Sequence, residues 1–227
     1  MSISSSRSPS RSLALVFIAA VLSFARADVA SADMQGDVDQ AVDILTRFQQ
    51  IPEGSIPPSV MKDAKGVAII TVLKAGFGFS ARGGTGVVVA RTDDGWSGPS
   101  AIGTGGAGFG FQIGAKVSEF IYVLNTAAAV KAFSHGGNVQ VGGAISAAAG
   151  PFGRDAEAGV TPMAAIYTYS RSQGVFGGVS VEGTVIAERT KTNKEYYGKD
   201  VTPSEILDGN VEPPPGAAKL RGVLDQY

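Results

Sequence analysis

The stretch from Ile56 to Asn125 constrains the fold more than any other part of the chain. It begins with a proline-started helical pattern, continues through the apolar run VAIITVL from Val67 to Leu73, and then alternates short apolar runs with glycine. A continuous apolar run bounded by glycine is typical of a strand buried on both faces. Glycine makes up 31 of the 227 residues and follows no three-residue period. This pattern excludes a collagen-like chain and favours closely packed or sharply turning strands.

Helical periodicity brackets these strands. The apolar spacing from Asp37 to Gln50 predicts an N-terminal helix whose other face holds Asp37, Asp39, Asp43 and Arg47. Further helices are predicted over residues 59–65, 126–134, 203–207 and 220–227. Strands are predicted over residues 67–73, 86–91, 108–113, 119–124, 138–149 and 163–171, with a final hairpin of 175–181 and 184–189. The sequence therefore predicts a single α+β domain, a glycine-rich antiparallel sheet or partial barrel with short helices at both ends.

Residues 1–32 have the order of a targeting segment. Arg7 and Arg11 precede an apolar run of twelve residues from Leu13 to Phe24, and small-x-small sites end at Ala27 and Ala32. The run spans ~18 Å as a helix, too short for a bilayer core of ~30 Å. We therefore predict a signal peptide (residues 1–32) cleaved after Ala27 or Ala32, a domain over residues 33–227, and no transmembrane span after cleavage. The expected location is the secretory pathway, periplasmic or extracellular; an organelle or the cytoplasmic membrane periphery is the alternative.

Catalytic and metal-binding chemistry finds little support. The chain has no cysteine and one histidine, His135, which excludes disulfides, thiolate sites and any site with two imidazoles. Residues 103–108 match G-x-G-x-x-G, but strand-like residues follow where a dinucleotide site needs a helix. Ser180 stands in a G-x-S-x-E sequence that lacks the second glycine of a nucleophile elbow. Asp93 and Asp94 precede Gly95 and fit a tight turn. We predict no enzyme, no metal and no cofactor.

Basic residues are the remaining candidates for a binding site. The formal charge of −1 gives no sign of nucleic-acid binding. Several cations gathered on one face could still bind phosphates or an acidic protein surface, although each alone equally fits a solvated strand edge. The candidates for lipid or anion contact are Lys62, Lys65, Lys74, Arg82, Lys116, Arg171, Lys191 and Lys194.

Several tracts carry a family resemblance. They include IPPSVMKDAKGVAI, VLKAGFGFSARGGTGVVVAR, DGWSGPSAIG and GFGFQIGAKVSEFIYVLN, and the similarity extends from Ile56 to Gly209. In these tracts the chain resembles the SYLF-domain family, as a stand-alone, exported member. The resemblance implies a non-enzymatic module that binds phosphoinositides or other anionic phospholipids at a membrane surface. For some family members it also implies binding or bundling of actin, which is the alternative here if the chain is cytoplasmic.

The N-terminal helix departs from the family pattern. Lipid-binding members approach membranes through a lysine-bearing amphipathic helix, whereas this helix shows Asp37, Asp39 and Asp43 against a single Arg47. An anionic leaflet repels such a face. Lipid binding is therefore expected from the basic residues of the β domain, among which Arg82 and Lys116 match the family pattern.

Overall fold

The computed structural model describes residues 33–50, 56–134, 147–149 and 164–227, and of residues 147–149 and 176–184 it describes the backbone alone. The helices are α1 (Met34–Gln49), α2 (Pro58–Asp63), α3 (Ala127–Ser134), α4 (Thr190–Tyr197), α5 (Pro203–Leu207) and α6 (Ala218–Leu224), with a 3-10 turn at Pro215–Ala217. The strands are β1 (Gly66–Thr92), β2 (Gly95–Trp96), β3 (Ser100–Leu124), β4 (Ala147–Ala149) and β5 (Ile166–Glu188). None of the described helices combines the length and apolarity that crossing a bilayer requires.

The described strands form a sheet in the order β2-β1-β3-β5-β4. All neighbours are antiparallel except β4, which runs parallel to β5. The β1–β3 ladder runs from Gly66 opposite Leu124 to Val88 opposite Ser100. β5 follows β3 over its own whole length. The predicted α+β class with an antiparallel sheet and helices near both ends is confirmed.

The long strands differ from the sequence prediction. β1, β3 and β5 contain 27, 25 and 23 residues, so runs that were predicted as separate strands are parts of the same strand. Glycines that suggested strand ends are bends inside the ladder, as at Gly78, where φ is +72° and the register shifts. The predicted final hairpin is wrong, because residues 175–181 and 184–188 lie consecutively in β5. β5 pairs with β3 along its whole length, so the two predicted strands do not pair with each other across a turn.

β1 doubles back on itself. The Arg91 N–H donates to the Lys65 carbonyl at 2.9 Å, which joins the beginning of the strand to its end. A Cβ on Gly86 would collide with the Ile69 carbonyl, so the two halves lie directly against each other. The reversal lies at Phe77–Phe79, where Gly78 adopts a positive φ that a side chain disfavours. Both ends of β1 therefore reach the core, and its middle forms the far end of the sheet.

The core occupies both faces of the sheet at the strand ends. On one face, α1 and α6 cover Val67, Ile69, Val89 and Ile121. On the other face, α3 and α5 pack against Ala68, Ile70, Val88 and Ile102 through Phe133 and Leu207. Alternate residues of each strand point to opposite faces, which explains why the buried runs at the strand ends are continuously apolar.

The shorter elements confirm some predictions and correct others. Asp93 and Asp94 form the turn between β1 and β2, and residues 103–108 lie inside β3, where no helix begins. α4 was missed, because its buried contact is made by an amide. The Asn193 side chain accepts from the Ala101 N–H at 2.7 Å and donates to the Ser100 hydroxyl at 3.1 Å. His135, residues 138–146 of a predicted strand, the Ser180 side chain and the predicted signal peptide lie outside the described part of the chain.

Candidate functional site

The far end of the sheet carries an apolar patch that is exposed in the described part of the chain. Every large apolar side chain found exposed among the described residues lies in the middle sections of β1, β3 and β5. We call this set the aromatic tip: Phe77, Phe79, Phe109, Phe111, Ile113, Val117 and Val175. The rings of Phe79 and Phe109 lie 4.8 Å apart between centroids. Phe111 is 95% exposed, so its ring stands free of the rest of the tip.

The aromatic tip lies on one face of the sheet. Phe77 is the cross-strand partner of Ile113, and Phe79 is the partner of Phe109. The two side chains of a cross-strand pair point to the same face, and Phe109 and Ile113 are an even number of residues apart on β3, so both pairs share that face. Val117 shares that side with Ile121, four residues further along β3, and Ile121 is buried in the cluster beneath α1. Among the described residues no helix covers the face beyond this point. A contiguous exposed apolar patch of this kind marks an interaction site.

The helix α1 ends where the tip begins. Near its C-terminus, the Arg47 side chain donates to the Glu119 carboxylate at 2.5 Å. Arg171 is the cross-strand partner of Glu119 on β5 and is exposed. The patch is thus bordered, on its own face and on the side of α1, by the Arg47–Glu119 ion pair with Arg171 directly beside it on β5.

Cations occupy the opposite face of the same region. Lys74 and Lys116 are cross-strand partners, and Lys74 is 7% exposed. Burial lowers the pKa of Arg82, and the nearby Tyr122 phenol opposes that shift. Burial raises the pKa of Tyr122 to about 12, so this phenol stays protonated. Residues 73–83, 105–118 and 170–175 contain four basic residues and no Asp or Glu, whereas Glu119 and Glu182 lie beside these ranges on β3 and β5.

The structure divides the eight predicted basic candidates into two groups. Lys74, Arg82, Lys116 and Arg171 come together around the tip. The others lie near the strand ends: Lys62 on α2, Lys65 just before β1, and Lys191 and Lys194 on α4. Lys194 pairs with Asp200 at 2.6 Å and Lys191 with Glu195 at 3.7 Å, so carboxylates already neutralise both cations of α4. A lipid contact by any of the eight stays a prediction.

Asp37 corrects the expected acidic face of the first helix. It is 5% exposed and lies on the buried side of α1 with Ala41, Ile44 and Phe48. One carboxylate oxygen accepts from Arg189 Nη1 at 2.6 Å and the other from the Thr85 hydroxyl at 2.6 Å. Burial raises the pKa of Asp37, although Thr85 and Arg189 both act in the opposite direction. The solvent-facing acids of α1 are therefore Asp39 and Asp43.

The aromatic tip was missed in the sequence because apolar strand residues were expected to be buried. The available signal was the alternation of phenylalanine with glycine, F-G-F at residues 77–79 and G-F-G-F-Q-I at residues 108–113. Within the described residues, no three His, Cys, Asp or Glu side chains stand close enough together to hold a metal ion.

Comparison with known proteins gives a consistent set of relatives. A family model described as "Ysc84: Las17-binding protein actin regulator" matches residues 105–227. "LAS seventeen-binding protein 3" of Saccharomyces cerevisiae is 51% identical over 175 residues, which is 75% of this chain and 38% of the relative. Human "SH3 domain-containing YSC84-like protein 1" is 44% identical over 203 residues, 86% of this chain and 59% of the relative. The chain thus spans about two fifths of the yeast relative and three fifths of the human one.

These similarities contradict the expected secretory, periplasmic or extracellular location. The matching family is described as an actin regulator, and the yeast relative is named for binding Las17. Actin filaments assemble in the cytoplasm, so the similarities point there and not to a secreted protein. The expectation of export was wrong because a short apolar run with small residues is weak evidence of destination. Residues 1–32 lie outside the described part of the chain, and their cleavage stays a prediction.

Proposed function

Because the chain belongs to the Ysc84 family, also called the SYLF-domain family, we propose that it is a binding module of actin regulation. In this role it binds actin filaments or a protein partner, as the yeast relative's name states for Las17. The match over residues 105–227 carries the proposal, since this range includes most of β3, all of β5 and the C-terminal helices. We propose a binding function without catalysis, in keeping with the family's description as a regulator.

Filament sedimentation tests the actin proposal. We expect the full chain to pellet with filamentous actin at high speed, in an amount that rises with filament concentration and saturates. Low-speed sedimentation then separates bundling from simple binding. The control is the same protein centrifuged without filaments. Folded protein that pellets no more with filaments than without them would remove actin as the direct partner.

Binding of anionic phospholipid or phosphoinositide headgroups is a second candidate function. The observation that favours it is the presence of Lys74, Arg82, Lys116 and Arg171 on the parts of β1, β3 and β5 that approach this end of the sheet. Lys116 is partly exposed and Arg171 is exposed, so both can reach a charged surface. A basic residue near an anionic membrane contributes about 1 kcal/mol.

Charge removal tests this second function. We expect the double variant Lys116→Ala, Arg171→Ala to bind phosphatidylserine-containing vesicles about 20- to 30-fold more weakly, the equivalent of two such contributions. Wild-type binding should also weaken as salt rises. The double variant Lys199→Ala, Lys219→Ala is the matched control, because it removes two exposed cations, one that follows α4 and one that lies on α6. Equal losses in the two double variants would mean that overall charge, and not the tip, determines binding.

A further inference from the structure

The aromatic tip is a projection and not a groove. Phe111 is 95% exposed, Val175 is 85% exposed and Phe77 is 72% exposed. Side chains that stand this far out offer little concave surface for a ligand to enter. Protruding apolar side chains instead fit a lipid bilayer, because lipids can rearrange around them more easily than a folded protein can.

The backbone holds this projection in place. β3 and β5 stay in continuous register through the region, and β1 pairs with β3 up to Phe77 and again from Phe79 after a register shift. Gly78 adopts a φ of +72°, which permits the bend inside β1 between Phe77 and Phe79. The apolar side chains are therefore displayed by a hydrogen-bonded sheet, and burying them in a partner requires little additional ordering of the backbone.

The basic residues near the aromatic tip favour an anionic membrane as its partner. The middle sections carry Lys74, Arg82, Lys116 and Arg171 without an Asp or Glu in residues 73–83, 105–118 and 170–175. Arg171 lies exposed on the face that carries the rings, and Lys116 is partly exposed on the opposite face. At the boundary of an anionic bilayer, rings enter the acyl region and cations stay with the phosphates. A lysine such as Lys116 has a stem long enough to keep its ammonium group at that level.

We propose that the aromatic tip inserts into the headgroup–acyl boundary of an anionic membrane, with Phe111 as the deepest side chain. The proposal rests on the lipid-binding part of the proposed function and goes beyond it by naming the inserted residues. Headgroup attraction brings the tip to the membrane, and burial of the exposed rings then adds a component that salt does not screen.

A tryptophan reporter tests the insertion directly. Trp96 is the native tryptophan and is 1% exposed in the core, so its emission provides a constant background. In Phe111→Trp, vesicles of phosphatidylserine and phosphatidylcholine with brominated acyl chains should shift the added emission to shorter wavelength and quench it. Gln226→Trp places the same reporter at an exposed position after α6, and we expect no quenching there.

The outcomes separate insertion from lipid binding itself. Quenching of the tip reporter alone supports insertion. Vesicle binding without quenching of Phe111→Trp overturns insertion and leaves headgroup binding intact. No vesicle binding by wild type or either reporter variant removes the lipid function and the insertion together.

Truncation of the ring provides an independent measure. Phe111→Ala should weaken vesicle partitioning by about tenfold to a hundredfold, the equivalent of burying one phenyl group. The loss should persist at high salt. If Phe111→Ala instead changes the oligomeric state or actin sedimentation and leaves vesicle binding unchanged, the tip is a protein-docking surface and the proposal fails.

Discussion

Replacing Arg189 with alanine is expected to lower the free energy of unfolding by about 3–5 kcal/mol, the usual cost of leaving one member of a buried ion pair alone. Arg189 Nη1 lies 2.6 Å from Asp37, and the two side chains are 15% and 4% exposed. Removing the guanidinium leaves the carboxylate accepting from the Thr85 hydroxyl at 2.6 Å. The pair also joins α1 to the end of β5. Urea denaturation followed by circular dichroism measures the effect.

Two variants control this experiment. Lys191→Ala removes a cation two residues away whose pair with Glu195 is 3.7 Å long and exposed, and it should cost about 0–1 kcal/mol. The double variant Asp37→Ala, Arg189→Ala should cost less than the sum of its single changes, because neither charge is then left buried without its partner. Equal destabilisation by Arg189→Ala and Lys191→Ala would show that the buried pair has no special importance for stability.

Replacing Gly86 with alanine is expected to destabilise the fold by about 1–3 kcal/mol or more, as overpacking of a core does. The added methyl group would meet the Ile69 carbonyl and the Ile70 Cα of the other half of β1. Ile69 is itself held in the ladder opposite Ile121, so its backbone cannot move away without disturbing β3. Thermal and urea unfolding measure the loss.

Gly105→Ala is the matched control for Gly86→Ala. It makes the same chemical change in β3, where a Cβ would meet nothing within 4 Å. Its φ is outside the positive range that disfavours side chains. We therefore expect it to be neutral or to stabilise the fold by up to about 1 kcal/mol, through the unfolded chain. Comparable destabilisation by both changes would mean that strand flexibility, and not close approach of the two halves of β1, explains the glycines.

The sequence predicted the class of the fold because periodicity is strongest where packing is strongest. The apolar stripe of the first helix and the continuous run from Val67 to Leu73 both lie in the core. The sequence did not show that the predicted short strands join into three long ones. Glycine ends a strand in one context and bends it in another, and the outcome at Gly78 depends on the partner strand β3, which is distant in sequence.

The candidate site was predictable only in part. Four of the eight basic residues gather at the tip because the register places Lys74 opposite Lys116, and spacing along one strand does not contain that information. Asp37 was placed on the wrong face because its partner Arg189 is 152 residues away. The phenylalanines were visible, but their exposure depends on where α1 ends on the sheet, as the contact of Arg47 with Glu119 shows.

The reversal of β1 at Gly78 also limits how this protein can evolve. An ordinary hairpin loop can lengthen independently, because its neighbours do not follow it. Here β3 passes around the reversal of β1 with a register shift between Phe77 and Phe79, and β5 follows β3 residue by residue. Two residues added beside Phe77 would leave the outer strands too short to stay paired around the longer arm. The reach of the tip can therefore change only through coordinated insertions in three distant parts of the gene, whereas its side chains can be exchanged one at a time.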